Sequence, residues 1–286
     1  MEQDPIRTYL LTRWPAYYAF MAGSLIAGLV IIVVGGVFGW WWLVASAALA
    51  LLAVNYLLAA SLWLARQMQD MVGMSASVWE LGQLDPDERL AAIDLGLRQL
   101  TLRLRARLRK GRILAIDVYN PQMTPAPRLA RLRAREFEWA DTYQADPRLE
   151  SLPGALDLLP LPDEHVSAVV LAQLLTELAQ SGDRVQLLRE VYRILAPGGR
   201  FIVIEPVRQA EAWWAYPVLG GLDSAESWHA LFHMTGFQLH QTGPVNPLLY
   251  AFVWRKPGLS APGQLRFKFA ADPSPTPAPR SPFPTR

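Results

Sequence analysis

Leu188-Arg-Glu-Val-Tyr-Arg-Ile-Leu-Ala-Pro-Gly-Gly-Arg-Phe-Ile-Val-Ile-Glu-Pro206 is the stretch that decides the fold. Its first half keeps apolar residues at helical spacing, with Leu188, Val191, Tyr192 and Leu195 on one face and charges between them. Pro197-Gly198-Gly199 stops the helix, and Arg200 to Glu205 then reads as a buried strand. A helix feeding a strand through a tight turn is half of an α/β repeat.

The same alternation extends outward on both sides. Upstream, strands are expected at Arg89–Asp94, Ile113–Val118, Arg148–Leu152 and Val166–Leu171. A helix carrying Leu97, Leu100, Leu104 and Leu108 falls between the first two, and a basic helix at 128–136 follows the second. Downstream come a helix at 224–235 and strands at 237–239 and 248–254. Residues 89–256 are therefore read as an α/β domain with a mostly parallel, Rossmann-like sheet. Residues 66–88 read as a linker, and 257–286 as a disordered Pro-rich tail.

Before this domain the chain changes character. No charged residue occurs between Arg13 and Arg66. A bilayer crossing takes about 20 apolar residues, and two fit, at 16–34 and 40–64, with Gly35, Gly36 and Gly39 at the turn. Trp40, Trp41 and Trp42 on one side and Tyr17, Tyr18 and Trp63 on the other match the two headgroup zones. Ser24 and Gly28 form a small-xxx-small step for close helix approach. Arg7, Arg13 and Arg66 flank the pair and the turn has no basic residue, so residues 1–15, the far terminus and the α/β domain are expected in the cytoplasm, in a two-pass membrane protein. The absence of cysteine excludes disulfides and thiol nucleophiles.

The run Leu159-Pro-Leu-Pro-Asp163, then Val166–Leu171, then Leu188–Pro206, with Thr235-Gly236-Phe237 later, resembles the second half of a class I S-adenosylmethionine (SAM) methyltransferase, in particular the type 11 group. The resemblance covers residues 85–256 and implies SAM as cofactor. It also implies a first strand ending in an acidic residue and a glycine-rich turn. Asp94-Leu95-Gly96-Leu97-Arg98-Gln99-Leu100 aligns there: Asp94 and Gly96 are kept, while Arg98 and Leu100 replace two glycines. Asp117 aligns with the family's carboxylate for the ribose hydroxyls, 21 residues after Gly96. Gly154-Ala155-Leu156 aligns with the adenine contact, where Ala155 replaces an acidic residue. A second alignment, with Ile113–Asp117 as first strand, lacks any glycine after it and is disfavoured.

The resemblance thus nominates Asp94, Gly96, Asp117, Ala155 and Leu156 for cofactor binding, with Glu177, His229 and His233 as side chains able to approach the pocket mouth. No metal-ligand spacing occurs. Arginines from Arg98 to Arg135 read either as a solvated face or as a contact for anionic lipid headgroups, and they lack the interleaved aromatics of a nucleic-acid surface. Two functions are expected to compete: a membrane-anchored methyltransferase acting on a lipid-like small molecule, and a non-catalytic scaffold that keeps the fold.

Overall fold

The computed structural model describes residues 22–122, Leu129, Arg133, 146–178, 180–215 and 222–258. The N-terminal segment up to residue 21, most of the basic helix expected at 128–136 and the Pro-rich tail beyond Gly258 lie outside the described residues.

Helix α1 (Ala22–Val37) turns at Gly39, whose φ of +68° suits glycine, into α2 (Trp41–Met68). The pair packs closely: a Cβ on Gly28 would sit 3.3 Å from the Leu51 side chain, and one on Gly35 3.0 Å from Val44. Asn55, the polar residue inside α2, donates to the Leu51 carbonyl at 2.8 Å, within its own helix rather than across the pair.

The stretch read as a linker is structured. Asp70 caps a further helix, α3 (Met71–Gly82), by accepting from the Gly73 N–H at 2.9 Å. Met74 and Val78 of α3 are fully buried against the sheet, beside Ile202, Ala251 and Val253. The reading as linker failed because Gly73, Ser75, Ala76 and Ser77 look like loop composition. Here Ser75 is buried, Gly73 makes room for the Asp70 cap, and Gly82 lets the helix end close to the sheet, where a Cβ would lie 3.0 Å from Ile202.

The sheet has seven strands, in the order β3-β2-β1-β4-β5-β7-β6. They are β1 (Arg89–Asp94), β2 (Arg112–Asp117), β3 (Leu149–Pro153), β4 (Val166–Ala172), β5 (Leu195–Pro206), β6 (Gln238–Pro244) and β7 (Leu249–Arg255). All pairings are parallel except those of β7 with β5 and β6. Helix α4 (Gln99–Arg107) links β1 to β2, α5 (Ser181–Ile194) precedes β5, and α6 (Ala225–Met234) precedes β6.

The Pro197-Gly198-Gly199 turn makes an irregularity inside β5, whose pairing with β4 jumps from Val166↔Leu195 to Ala168↔Arg200. Gly198 has φ +75°, and a Cβ on Gly199 would lie 2.7 Å from the Ala196 carbonyl oxygen, so both positions demand glycine. Leu187, Leu188, Val191 and Ile194 of α5 are fully buried in the core formed with Phe201, Val203 and Trp228. Burying such side chains stabilises by about 1.5–3 kcal/mol each.

Candidate functional site

In open parallel sheets ligands bind beyond the carboxyl ends of the strands. β1 lies centrally, paired to β2 on one side and β4 on the other, so its carboxyl end stands over the middle of the sheet. This supports the alignment that starts at Asp94 and not the one starting at Ile113.

Asp94 ends β1 in register with Asp117 at the end of β2. The Asp94 carboxylate accepts from the Gly96 N–H at 2.8 Å and from the Thr101 hydroxyl at 3.3 Å. Removal from water outweighs these bonds, and with the Asp117 charge nearby it pushes the Asp94 carboxyl up to about 6. Gly96 has φ +80°, a conformation strained for any side chain. Asp117 accepts from the Tyr119 N–H at 3.0 Å.

Arg133 enters this cluster, and nothing in the sequence singled it out from the other arginines. Its Nη1 and Nη2 donate to the two oxygens of Asp117 at 2.9 and 2.8 Å. It also donates to the Leu95 carbonyl, and its guanidinium lies over the Tyr119 ring, 4.3 Å from the centroid. It fills the space above Gly96, where a Cβ would meet Nη1 at 1.7 Å. Arg98 caps α4 with φ +38° and donates to the Ser151 hydroxyl on β3. Ala155 closes a small turn with Leu158, and Leu156 is buried in the core rather than facing solvent.

Beside the β1 turn is a cavity of about 140 Å³. Its lining includes Asp94, Arg98 and Thr101, Gln173 and Glu177, and the three methionines Met68, Met71 and Met74. Gln173 holds φ +53° at the end of β4 and donates to the Met68 carbonyl at 2.5 Å, which ties the end of α2 to the sheet. Glu177, exposed on the rim, is where the sequence placed it. His229 is not: its ring packs on Phe252 and Trp254 at 5.4 and 5.5 Å, and neither His229 nor His233 lines the cavity. α6 runs back from the carboxyl edge along the β7 side of the sheet, a direction its sequence does not encode. One further acid was missed. Glu205, fully buried at the end of β5, accepts from the Leu175 N–H at 2.8 Å and the Thr176 hydroxyl at 2.7 Å. Among the described residues no group of three acidic or histidine side chains could hold a metal ion.

Residues 93–203, which run from the end of β1 through most of β5, match the family described as methyltransferase domain. This part of the chain is similar to a methyltransferase domain. Solved structures with a similar fold include a SAM-dependent methyltransferase from Aquifex aeolicus, at 15% identity over 63% of this chain and 88% of that one, TM-score 0.47. A SAM-dependent methyltransferase from Methanosarcina mazei aligns at 14% identity over 62% and 96%, TM-score 0.47. The [4+2]-cyclase SpnF aligns at 20% identity over 65% and 80%, TM-score 0.47.

S-adenosyl-L-methionine is the cofactor that this family likeness implies for the domain. The domain's residues fit that group on one condition. The Asp94–Gly96 turn forms a cradle that the Arg133 guanidinium fills, and the Asp117 carboxylate stands beside it. Arg133 must withdraw from both; the obstruction is the far end of a flexible side chain, not backbone.

Proposed function

We propose that this chain is a membrane-anchored SAM-dependent methyltransferase whose acceptor is a lipid-like small molecule reached from the bilayer. The observation that carries the reading is that α2 ends at the cavity. Met68, the last residue of this apolar helix, lines the same cavity as Met71, Met74 and Asp94. Unbranched thioether side chains adapt to apolar ligands of varied shape.

α2 is long and apolar enough to cross a membrane, and few of its residues are buried by the rest of the chain. α1, shorter as described, packs against it and is the other half of the two-pass anchor, with both termini cytoplasmic. α2 leaves the domain at the carboxyl edge of the sheet, so that edge and its cavity face the bilayer. Arg98 stands at this edge and serves an anionic headgroup. Arg107, Arg109, Lys110 and Arg112 lie at the opposite, amino edge, where the Lys110 N–H bonds Asp87 ahead of β1; they form a solvated face in this reading.

When bound, the cofactor supplies an electrophilic methyl group on a sulfonium. Asp117, once Arg133 withdraws, would hold the ribose hydroxyls, and the Gly96 backbone would give the cofactor close approach. The apolar cavity wall orients the acceptor, and positioning of this kind lowers the barrier without a strong base. Glu177 on the rim is placed to take up a proton that the acceptor releases.

The second reading, a non-catalytic scaffold, is favoured by one observation: Arg133 already saturates Asp117. The test uses the full chain in lipid nanodiscs. Calorimetry should show SAM binding, and incubation with methyl-tritiated SAM and a total polar lipid extract should move label into the organic phase. Absence of binding heat in both wild type and Arg133→Ala would leave the scaffold.

A further inference from the structure

The 3-10 turn Ala210–Ala215 follows β5 at the carboxyl edge and packs on α2. The Tyr56 hydroxyl donates to the Trp214 carbonyl, and the Trp63 and Trp214 rings pack with centroids 4.9 Å apart. Ala60 and Leu64 of α2 are buried with Ala215 and Leu248. The turn is thus fixed to the flank of the apolar helix, not to its end.

With three residues per turn, residues i and i+3 eclipse. Ala212 and Ala215 form the inner line and are fully buried, Glu211 and Trp214 form a second, and Ala210 and Trp213 form the outer one. Trp213 is 70% exposed. Its depth follows from α2. At 1.5 Å per residue, Tyr56 stands about 22 Å and Trp63 about 33 Å along the helix from Trp41. The hydrocarbon core is about 30 Å thick. With Trp41 at the far boundary, Trp63 marks the near boundary and Tyr56 lies inside it. A turn that touches both sits at the near headgroup level, where indole rings are favoured.

We infer that Ala210–Ala215 is a second membrane contact, with Trp213 seated in the interfacial zone of the bilayer that α2 crosses. This rests on the proposed anchoring through α2 and goes beyond it. The helix pair sets the depth of the chain in the bilayer, and a second contact seats the carboxyl edge of the domain on its surface.

The chain has no cysteine, so single spin labels can be placed without background. Trp213→Cys, Leu52→Cys and Met234→Cys are labelled in the otherwise intact chain, reconstituted in liposomes, and probed with oxygen and a water-soluble nickel chelate. Leu52 lies in α2 and is 68% exposed, while Met234 ends α6 and is 73% exposed. The Trp213 site should show an oxygen-to-nickel collision ratio clearly above that of the Met234 site and below that of Leu52, which stands near mid-bilayer. A Trp213 ratio equal to Met234, with Leu52 in lipid, overturns the second contact and leaves the anchor standing. Shielding of the Trp213 site from both reagents means protein covers it, and overturns the proposal. An aqueous signal at Leu52 refutes the anchor, and the contact with it.

Discussion

Arg133 and Asp117 set the central question at the level of single residues. The guanidinium takes both carboxylate oxygens of Asp117, so a cofactor needing that carboxylate must displace a charge-assisted, bidentate pair. Hydrogen bonds to charged groups contribute about 1.5–3 kcal/mol each, and 1.4 kcal/mol is tenfold in affinity. Arg133→Ala should therefore strengthen SAM binding by about tenfold or more in calorimetry. Asp117→Ala, made in the Arg133→Ala background, should weaken it again by a similar factor. A loss of affinity in Arg133→Ala would mean that the arginine holds the cofactor instead of obstructing it.

Glu205 makes a separate residue-level prediction. Burial pushes its carboxyl up to about 7, against the pull of three hydrogen bonds. The folded chain thus keeps a proton that the unfolded chain releases near pH 4.5. The stability this contributes is complete below the unfolded pKa and is lost as pH rises through about 7. The melting temperature of wild type should fall between pH 5 and pH 8, and Glu205→Gln should flatten that fall. Asp94, raised to about 6, acts in the same direction and leaves a residual slope at lower pH.

Among elements, the junction of α2 and α3 matters most, because it carries the anchor to the cavity. Asp70 stops one helix and starts the next, and Gly73 leaves room for its carboxylate: a Cβ there would lie 2.3 Å from Oδ2. Loss of an N-cap costs about 1 kcal/mol. Asp70→Ala should lower stability by about that amount in denaturant titration of the full chain. Gly73→Ala should cost at least as much, since it displaces the cap itself. If both variants matched wild type, the junction would be held by Met74 and Val78 packing alone.

For the molecule as a whole, the charge-free stretch between Arg13 and Arg66 and the exposed apolar face of α2 give one expectation. The chain should stay in the membrane pellet through carbonate extraction, and reporters at either terminus should read cytoplasmic. A C-terminal reporter active on the far side would reverse the topology and take the cavity away from cytoplasmic SAM.

Much of this protein was legible in its sequence because the signals are local. Strands β1, β2, β4, β5 and β7 are short apolar runs between polar residues, and the Pro197-Gly198-Gly199 turn announces the conformations its backbone adopts. The Asp94–Gly96 turn is nominated through the family resemblance, on the alignment of Asp94 and Gly96 with its acidic residue and first glycine. α3 was lost because small residues look alike in a linker and under a sheet, and only the burial of Met74 and Val78 separates the two. Tertiary structure alone decided the rest. Arg133 reaches Asp117, Gln173 ties down Met68, and Trp214 meets Tyr56 across gaps of 16, 105 and 158 residues. Periodicity fixes which face of an element is apolar. Which distant side chain fills the space above Gly96 depends on strand order and helix direction, and these exist only once the sheet has assembled.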